Sequence, residues 1–403
     1  MSYGLALTSS IGFIRVNDPM FKYVKHSLFH LMGLQAAIAI FLGGSFIVAS
    51  LIFTLLVFVV GDLVLGDDQS TPDYHHPKIL TWQLWLALPL LCLIFFSSLW
   101  QFSDHDLFAF GKNIQALIGV DLLTNRGNAS QLEFIAALLL LGFNIGMIGT
   151  ITAHELTHRT SDPISLLIGR WLLSFSFDTS FSVEHVYGHH RYVSTVNDPA
   201  TAPRGRNVYS HIIISTIKGN ISAWNIEKKR LAKKNQASLS IRNQVIRGYL
   251  MSAFLLVVSY FLAGSSGLLL FIGAGIWGKT LLEIVNYMEH YGMVRHPKTP
   301  VQPRHSWNTN KRVSSWAMFN LTRHSHHHAK ASLPFHQLQP MKNSPEMISG
   351  YLGTIIIALI PPLWHRLMLP KVLDWDRNFA SDEEQSLIEV ANLKISSKLN
   401  YLS

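Results

Sequence analysis

Long apolar runs separated by polar segments dominate the hydropathy pattern of this chain. Residues 28–66 are apolar over more than the roughly 20 residues that one membrane crossing needs. Gly43 and Gly44 in the middle of this stretch allow a turn, so it predicts two helices. With the later runs, the pattern predicts an all-α integral membrane protein with six transmembrane helices, at residues 28–43, 45–66, 79–100, 132–153, 245–263 and 267–289.

Two weaker apolar stretches follow a different pattern. Residues 164–181 are interrupted by Arg170 and Asp178, and residues 350–369 contain a pair of prolines. Such interruptions favour buried or interfacial helices over crossings. Since no repeat, low-complexity tract or linker divides the chain, residues 1–403 are expected to form a single domain.

Composition supports a membrane protein and limits its redox chemistry. Hydrophobic residues make up 49% of the chain and charged residues 14%, against about 25% charged residues in a typical soluble protein. The single cysteine, Cys92, excludes an internal disulfide and a cysteine-ligated iron–sulfur centre. Any redox partner must therefore be a separate protein.

Lysine and arginine predict the topology. They are dense between residues 154 and 243 and sparse between 101 and 131, so the first of these segments is expected to face the cytoplasm. With six spans, residues 67–78, both termini and everything after residue 290 then lie on that same side. The formal charge of +9 is explained by these flanking basic residues, so nucleic acid is disfavoured as a partner.

Three histidine clusters lie in the segments assigned to the cytoplasmic side. The motif HELTHR places His154 and His158 at helical i and i+4 positions, so they can reach one metal ion. In EHVYGHHRY, His185 and His189 are expected to share a face, with His190 directed to a neighbouring ion. The sequence RHSHHH adds three more candidate ligands, and one further histidine follows the sixth span. The remaining candidates are His290, His324, His327 and His328.

Nine candidate ligands exceed what one zinc ion takes, so the clusters predict two metal ions. Imidazole suits zinc, copper, iron and nickel, and the residues alone leave the metal open. The competing interpretation is that the clusters are solvated at the headgroup boundary. Taken alone, HELTH is also compatible with a zinc protease that uses Glu155 as its general base. A non-catalytic metal carrier is a further alternative, but the spans contain few ionisable groups to form a path.

The histidine motifs and their flanking residues resemble those of a known family. The stretches HELTHR, EHVYGHHRYVSTVNDPATAPRG, NYMEHYGMVR, HSWNTN, RHSHHH and LIPPLWHRLMLPKVLDW are similar to those of the alkane 1-monooxygenase and xylene monooxygenase family. These proteins are integral-membrane non-haem di-iron hydroxylases of the fatty acid desaturase superfamily. The resemblance implies a cytoplasmic helical cap in which the nine histidines hold two iron ions. His326 stands where the family usually has aspartate, and it is not expected to be a ligand.

Acidic residues near the clusters are candidates for orienting the ligating imidazoles, because such rings usually donate their second N–H to a carboxylate or carbonyl. The alternative for each is a helix-end charge or a salt bridge. The candidates are Glu155, Glu184, Asp198, Glu283 and Glu289.

The implied function is O2-dependent hydroxylation of a terminal alkyl C–H bond, most simply in a medium-chain n-alkane. Alternatives are hydroxylation of a xylene or alkylbenzene methyl group, and fatty acyl desaturation or hydroxylation at the same type of site. The implied electron donor is a rubredoxin or ferredoxin-type protein with its NAD(P)H-dependent reductase. The expected location is the bacterial inner membrane, among its lipids.

Overall fold

A computed structural model of the chain describes residues 20–126 and 129–399, with side chains up to residue 393. Within these ranges every regular element is a helix, and pairing between extended segments is limited to two isolated bridges. The predicted all-α class is confirmed. Arg15 is a basic residue of the N-terminal segment predicted to be cytoplasmic, and it lies outside the described residues.

The helices are numbered here in chain order. Segment α7 covers residues 181–192 and combines three short pieces, Phe181–Glu184, His185–His189 and His190–Tyr192. The others are α1 Phe21–Leu42, α2 Ser45–Leu65, α3 Pro77–Phe102, α4 Leu107–Ile118, α5 Gln131–His158, α6 Pro163–Ser174, α8 Val208–Ala232, α9 Gln244–His290, α10 Arg312–Ala317, α11 His324–Ala329, α12 Tyr351–Ala358, α13 Pro361–Asn378 and α14 Asp382–Leu399.

Five of these helices are long and apolar enough to cross a membrane: α1, α2, α3, α5 and α9. The 47 residues of α9 contain both of the last two predicted spans. Its backbone leaves helical geometry at Ala263 and at Gly264, where φ is 58°. Beyond this break, the carbonyl oxygen of Ser259 lies against Gly267, eight residues later, which happens only if the chain turns back. The break therefore separates two antiparallel spans.

The turn between α1 and α2 lies at the predicted glycine pair. Gly43 and Gly44 both have positive φ, 69° and 57°, a conformation that glycine adopts without the steric penalty of a Cβ atom. A Cβ on Gly43 would also press against the Gln101 side chain at the end of α3. The turn therefore needs glycine both for its backbone and for the close approach of α3.

The two weaker apolar stretches form no straight crossing. Residues 163–174 are a single helix of 12 residues, too short to span a bilayer. Helices α12 and α13 meet at an angle of 118°, at the prolines that the sequence places there. Tyr351, the first residue of α12, contacts Glu289 at the end of α9.

The histidine-bearing elements meet at one end of the bundle. Helix α5 packs against α9, and α8 packs against α9 as well. The buried Arg323 guanidinium fixes the start of α11 by donating to the carbonyls of Asp68 and Leu338, at 2.9 and 2.6 Å. The ends of α5, α7, α9 and α11 thus lie side by side.

Candidate metal centre

The first histidine group combines α5, α7 and α11. The ligand atoms of its five side chains all lie within 4.8 Å of one another. The Nε2 atoms of His185 and His154 are 2.9 Å apart, and those of His154 and His327 are also 2.9 Å apart. The group consists of His154, His158, His185, His190 and His327.

The second group joins α7, α9 and α11. Its ligand atoms likewise lie within 4.8 Å of one another, and all four side chains are buried. The Nε2 atoms of His328 and His324 are 2.9 Å apart, and those of His324 and His290 are 3.2 Å apart. The group consists of His189, His290, His324 and His328.

These spacings fit ligands around a cation better than a hydrogen-bonded network. Nε2 of His185 lies 2.9 to 3.1 Å from three other Nε2 atoms. A ring nitrogen has one proton or one lone pair, so it cannot satisfy three such neighbours. Two nitrogens bound to one metal at about 2.1 Å and at right angles lie about 3.0 Å apart. The donor set therefore fits two metal ions, one in each group.

The electrostatics of the donor set favour the metal-binding form of the rings. Burial, reinforced by the neighbouring imidazoles, lowers the pKa of His185, His190 and His327 well below the ordinary value. The same holds for His324 and His328. These rings are therefore neutral at pH 7, which is the state that binds a metal.

The predicted division of the α7 histidines, with His185 and His189 on one ion and His190 on its neighbour, is wrong. His185 and His190 belong to the first group, whereas His189 belongs to the second. Residues His185–His189 form a π-helical turn, in which hydrogen bonds run from i to i+5. In such a turn the residues at i+4 and i+5 both lie close to residue i, and the ring centroids of His189 and His190 are 5.1 and 4.6 Å from that of His185. Their Nε2 atoms nevertheless reach different groups, since that of His190 lies beside His185 and that of His189 beside His328. By contrast, His154 and His158 share a group at i and i+4, as do His324 and His328.

Two oxygen acceptors orient histidine rings of the second group through the Nδ1 atom, on the side of the ring away from Nε2. Nδ1 of His189 lies 3.0 and 3.1 Å from the two oxygens of the Asp198 carboxylate. Although burial disfavours the imidazolium, this carboxylate raises the pKa of His189. Nδ1 of His290 faces the backbone carbonyl of His305 at 3.3 Å. Both arrangements fix the ring so that Nε2 points into the second group.

Comparison with known proteins identifies the family. The family model described as fatty acid desaturase matches residues 131–354, which contain all nine histidines. The chain belongs to the fatty acid desaturase family. The predicted resemblance is thereby confirmed.

Three of the curated relatives of this desaturase-family chain come from two pseudomonads. "Alkane 1-monooxygenase 1" of Pseudomonas aeruginosa is 38% identical over 62% of this chain and 66% of its own length. "Alkane 1-monooxygenase 2" of the same organism is 37% identical over 64% of this chain and 68% of its own length. "Xylene/toluene monooxygenase hydroxylase component XylM" of Pseudomonas putida is 32% identical over 66% of this chain and 72% of its own length. The match to the first of these relatives thus covers slightly less than two thirds of its length.

Three of the five carboxylate candidates make no hydrogen bond to a histidine within residues 20–126 and 129–399. Glu155 pairs with Arg159 at 3.0 Å. Glu283 pairs with Lys279 at 2.5 Å, so its spacing of two turns from His290 does not bring it to that ring. Glu184 lies 3.3 Å from the hydroxyl of Ser222, and burial raises its pKa to about 8.

Glu289 differs from these three. One of its oxygens accepts from the hydroxyl of Tyr351 at 2.5 Å, and the other lies 3.2 Å from Nε2 of His324. Since Nε2 is the atom that faces the second group, Glu289 lies beside the metal position and not behind the ring. The sequence placed Glu289 next to His290 but could not reveal Tyr351, which is 62 residues away.

His326 belongs to neither group. Its Nδ1 accepts from the backbone N–H of Gln339 at 2.9 Å, and its ring is buried. This hydrogen bond fastens the segment around Gln339, which follows α11, to the helix. This placement agrees with the prediction that His326 is not a ligand.

Proposed function

We propose that the chain is an O2-dependent monooxygenase that hydroxylates a terminal alkyl C–H bond of a hydrophobic substrate, most simply a medium-chain n-alkane. The observation that carries this proposal is the pair of buried histidine groups. The names of the relatives support the same class of oxidoreductase. In this proposal the five-histidine and four-histidine groups each hold one iron ion. The two iron ions together would supply the redox chemistry that activates O2.

An apolar cavity beside both groups supports an alkyl substrate. It reaches His154 and His185 of the first group and His324 of the second. The walls between the spans are formed mainly by Ile151, Phe181, Leu282, Val285, Met318 and Leu321. Such walls bind a hydrocarbon without polar partners and exclude water from the reacting carbon.

Electrons would come from an external carrier, a rubredoxin or ferredoxin-type protein with its NAD(P)H-dependent reductase. Of the nine histidines, His158 and His190 are the partly exposed ones, so the first group lies nearest to the surface. The side chains of Arg159 and Arg191 flank this edge. A basic edge of this kind would attract an acidic carrier.

The proposed location is the bacterial inner membrane, with both termini and the histidine groups on the cytoplasmic side. The support is the dense set of lysines and arginines between residues 154 and 243 and the several membrane-length helices. Reactivity of single-cysteine variants in loops, tested from each side of the membrane, checks this orientation.

The second candidate substrate is an alkylbenzene methyl group, favoured by the similarity to XylM. Fatty acyl desaturation or hydroxylation remains the third, favoured by the family itself. A zinc protease is disfavoured because the carboxylate of Glu155 pairs with Arg159, and because a single catalytic zinc leaves the second group without a role.

The test supplies membranes with rubredoxin, its reductase and ¹⁸O-labelled O2, and offers n-octane, p-xylene and a fatty acid separately. Labelled 1-octanol is the expected product, a labelled benzylic alcohol would favour the second candidate, and a new double bond without label the third. Metal analysis of purified protein is the companion measurement. Two irons per chain are expected, one of which is lost in His324→Ala because His324 belongs to the second group only, whereas one zinc would refute the proposal.

A further inference from the structure

Three ionisable side chains form a buried cluster. Two of them lie on the half of α9 that leads to His290, and the third, Asp178, precedes α7. The Nζ atom of Lys279 lies 2.5 Å from Asp178 and 2.5 Å from Glu283. All three side chains are less than one-fifth exposed. Ionisable groups inside a membrane bundle are costly, and they usually mark a path for ions, protons or substrate. This cluster contacts no histidine of either group, so the metal centre does not explain it.

The cluster borders a small polar cavity next to the apolar one. Asp178, Glu283 and Ser215 line one part of this cavity, and His185 and His189 line another. The cavity therefore joins the ion cluster to a histidine of each group. Since a buried water needs several polar partners, this polar lining suits a few ordered water molecules.

A hydrogen-bonded series connects the cluster to the protein surface. The hydroxyl of Tyr249, which is 44% exposed, donates to the side-chain oxygen of Asn220 at 2.7 Å. The Ser180 hydroxyl lies 3.0 Å from the same oxygen and 2.9 Å from the Asp178 carboxylate. Polar groups thus continue from the surface through the cluster to the cavity.

The two cavities meet at only a few side chains. Phe181, His185 and Asn286 line both of them. Asn286 donates to the Glu283 carboxylate at 3.3 Å, so its amide is held toward the polar side. The apolar cavity is thereby separated from the polar groups while both reach the same metal centre.

We propose that the polar cavity supplies protons to the metal centre, with Glu283 as the exchanging carboxylate and Lys279 and Asp178 holding it in place. The proposal rests on the proposed function. In that reaction RH, O2, two electrons and two protons give ROH and H2O. One oxygen atom enters the alcohol and the other leaves as water. The electrons come from the external carrier and the protons from bulk water. The walls of the apolar cavity are mostly hydrocarbon, which does not carry protons, so the polar cavity is the better route.

Thiol labelling tests access by water without measuring activity. In a Cys92→Ala background, Ser215→Cys is exposed to a water-soluble, charged thiol reagent in detergent-solubilised, iron-loaded protein. Ser259→Cys is the matched control, because Ser259 is a fully buried serine that bonds to its own helix at Leu255. We expect Ser215→Cys to react at least about 10-fold faster. Equal, slow reaction at both positions would mean that water does not enter, and the proposal would be overturned.

Glu283→Gln tests the exchanging group while it keeps the shape of the side chain. We expect unchanged iron content and alkane KM, a fall of about 10²-fold in alcohol formed, as for loss of a positioned proton donor, and release of H2O2 with a larger solvent isotope effect. Glu283→Asp should restore coupling, which means that the electrons consumed form alcohol without release of H2O2. Glu227→Gln, which removes a buried carboxylate that pairs with Arg230 on α8, should behave as the unmodified protein.

The outcomes separate the two proposals. If the unmodified protein incorporates no label into any substrate, the proposed function fails, whatever the thiol result. If it forms alcohol and Glu283→Gln stays coupled with the same isotope effect, the proton route is wrong. If Glu283→Gln loses iron, Glu283→Asp decides: an Asp variant that keeps iron but stays uncoupled counts against a carboxylate relay, and one that is coupled supports it.

Discussion

The contact between Asp198 and His189 gives the sharpest test of the second histidine group. The Asp198 carboxylate accepts from Nδ1 of His189 and also from the N–H of Ala200, at 3.1 Å, and the hydroxyl of Thr201, at 2.6 Å. In Asp198→Asn one oxygen remains for the two turn contacts. The amide NH₂ cannot accept from Nδ1, so the His189 ring loses the group that fixes its orientation.

The expected cost follows from this geometry. Removing the partner behind a ligating histidine typically lowers metal affinity 10- to 100-fold, which corresponds to about 1.4 to 2.7 kcal/mol. The effect should fall on the four-histidine group, which contains His189, since the five histidines of the first group do not contact Asp198. We therefore expect Asp198→Asn to lose one of two irons at a chelator concentration that leaves the unmodified protein fully loaded.

The assay is iron per chain, measured on purified protein after equilibration with graded chelator. Asp121→Asn is the matched control, because Asp121 is an exposed carboxylate that bonds only to nearby residues of its own loop. Resistance to chelator equal to that of the unmodified protein would show that Asp198 does not support a metal ligand. Simultaneous loss of both irons would show that the two groups do not bind independently.

Three further predictions follow from named contacts. His327→Ala should weaken iron in the first group and His328→Ala iron in the second, each leaving one ion per chain by metal analysis, because neighbouring residues serve different groups. Leu282→Trp should fill part of the apolar cavity and shift product formation toward shorter alkanes in a chain-length series. Glu384→Gln should loosen α14, because Glu384 accepts from Nε2 of the buried His305 at 2.7 Å. Although burial disfavours its charge, hydrogen bonds from His305 and the Ser381 N–H lower the pKa of Glu384 to about 2. Its stabilisation is therefore present above about pH 4.5, the ordinary carboxyl value, and is lost as pH falls toward 2; proteolysis of α14 across this range measures it.

Each of these predictions has a contrary result. Loss of both irons in His327→Ala and in His328→Ala would contradict separate groups. An unchanged chain-length profile in Leu282→Trp would place the substrate elsewhere. Cleavage of α14 that is independent of pH in the unmodified protein would show that the charge of Glu384 does not hold this helix. Glu383→Gln is the control for the last experiment, since Glu383 is an exposed neighbour on the same helix.

The sequence predicted the membrane bundle because its signals are local. A run of about 20 apolar residues has few other uses, and the glycine pair at Gly43 and Gly44 marks a turn whatever surrounds it. The break at Ala263 and Gly264 was also predicted as the gap between two spans. The histidines could be found because nine imidazoles near helix ends have few explanations other than metal.

The partners of the histidines could not be predicted in the same way. Asp198, His305 and Tyr351 act through contacts set by tertiary packing, and a carboxylate spaced like Glu283 still turned to Lys279. The division of the α7 histidines failed for a different reason. The sequence of His185–His189 does not distinguish a π turn from an α turn, because five residues are too few for hydrophobic spacing to show a period.

The π turn of α7 also sets a requirement for engineering. A designed helical bundle that copied the letters of residues 181–192 onto a helix of uniform pitch would direct His185 and His189 to one side and leave His190 aside. Such a scaffold would bind its metals in another arrangement, although every histidine was present. The widened turn has to be transplanted together with the side chains, because it is what allows one short helix to serve two neighbouring ions.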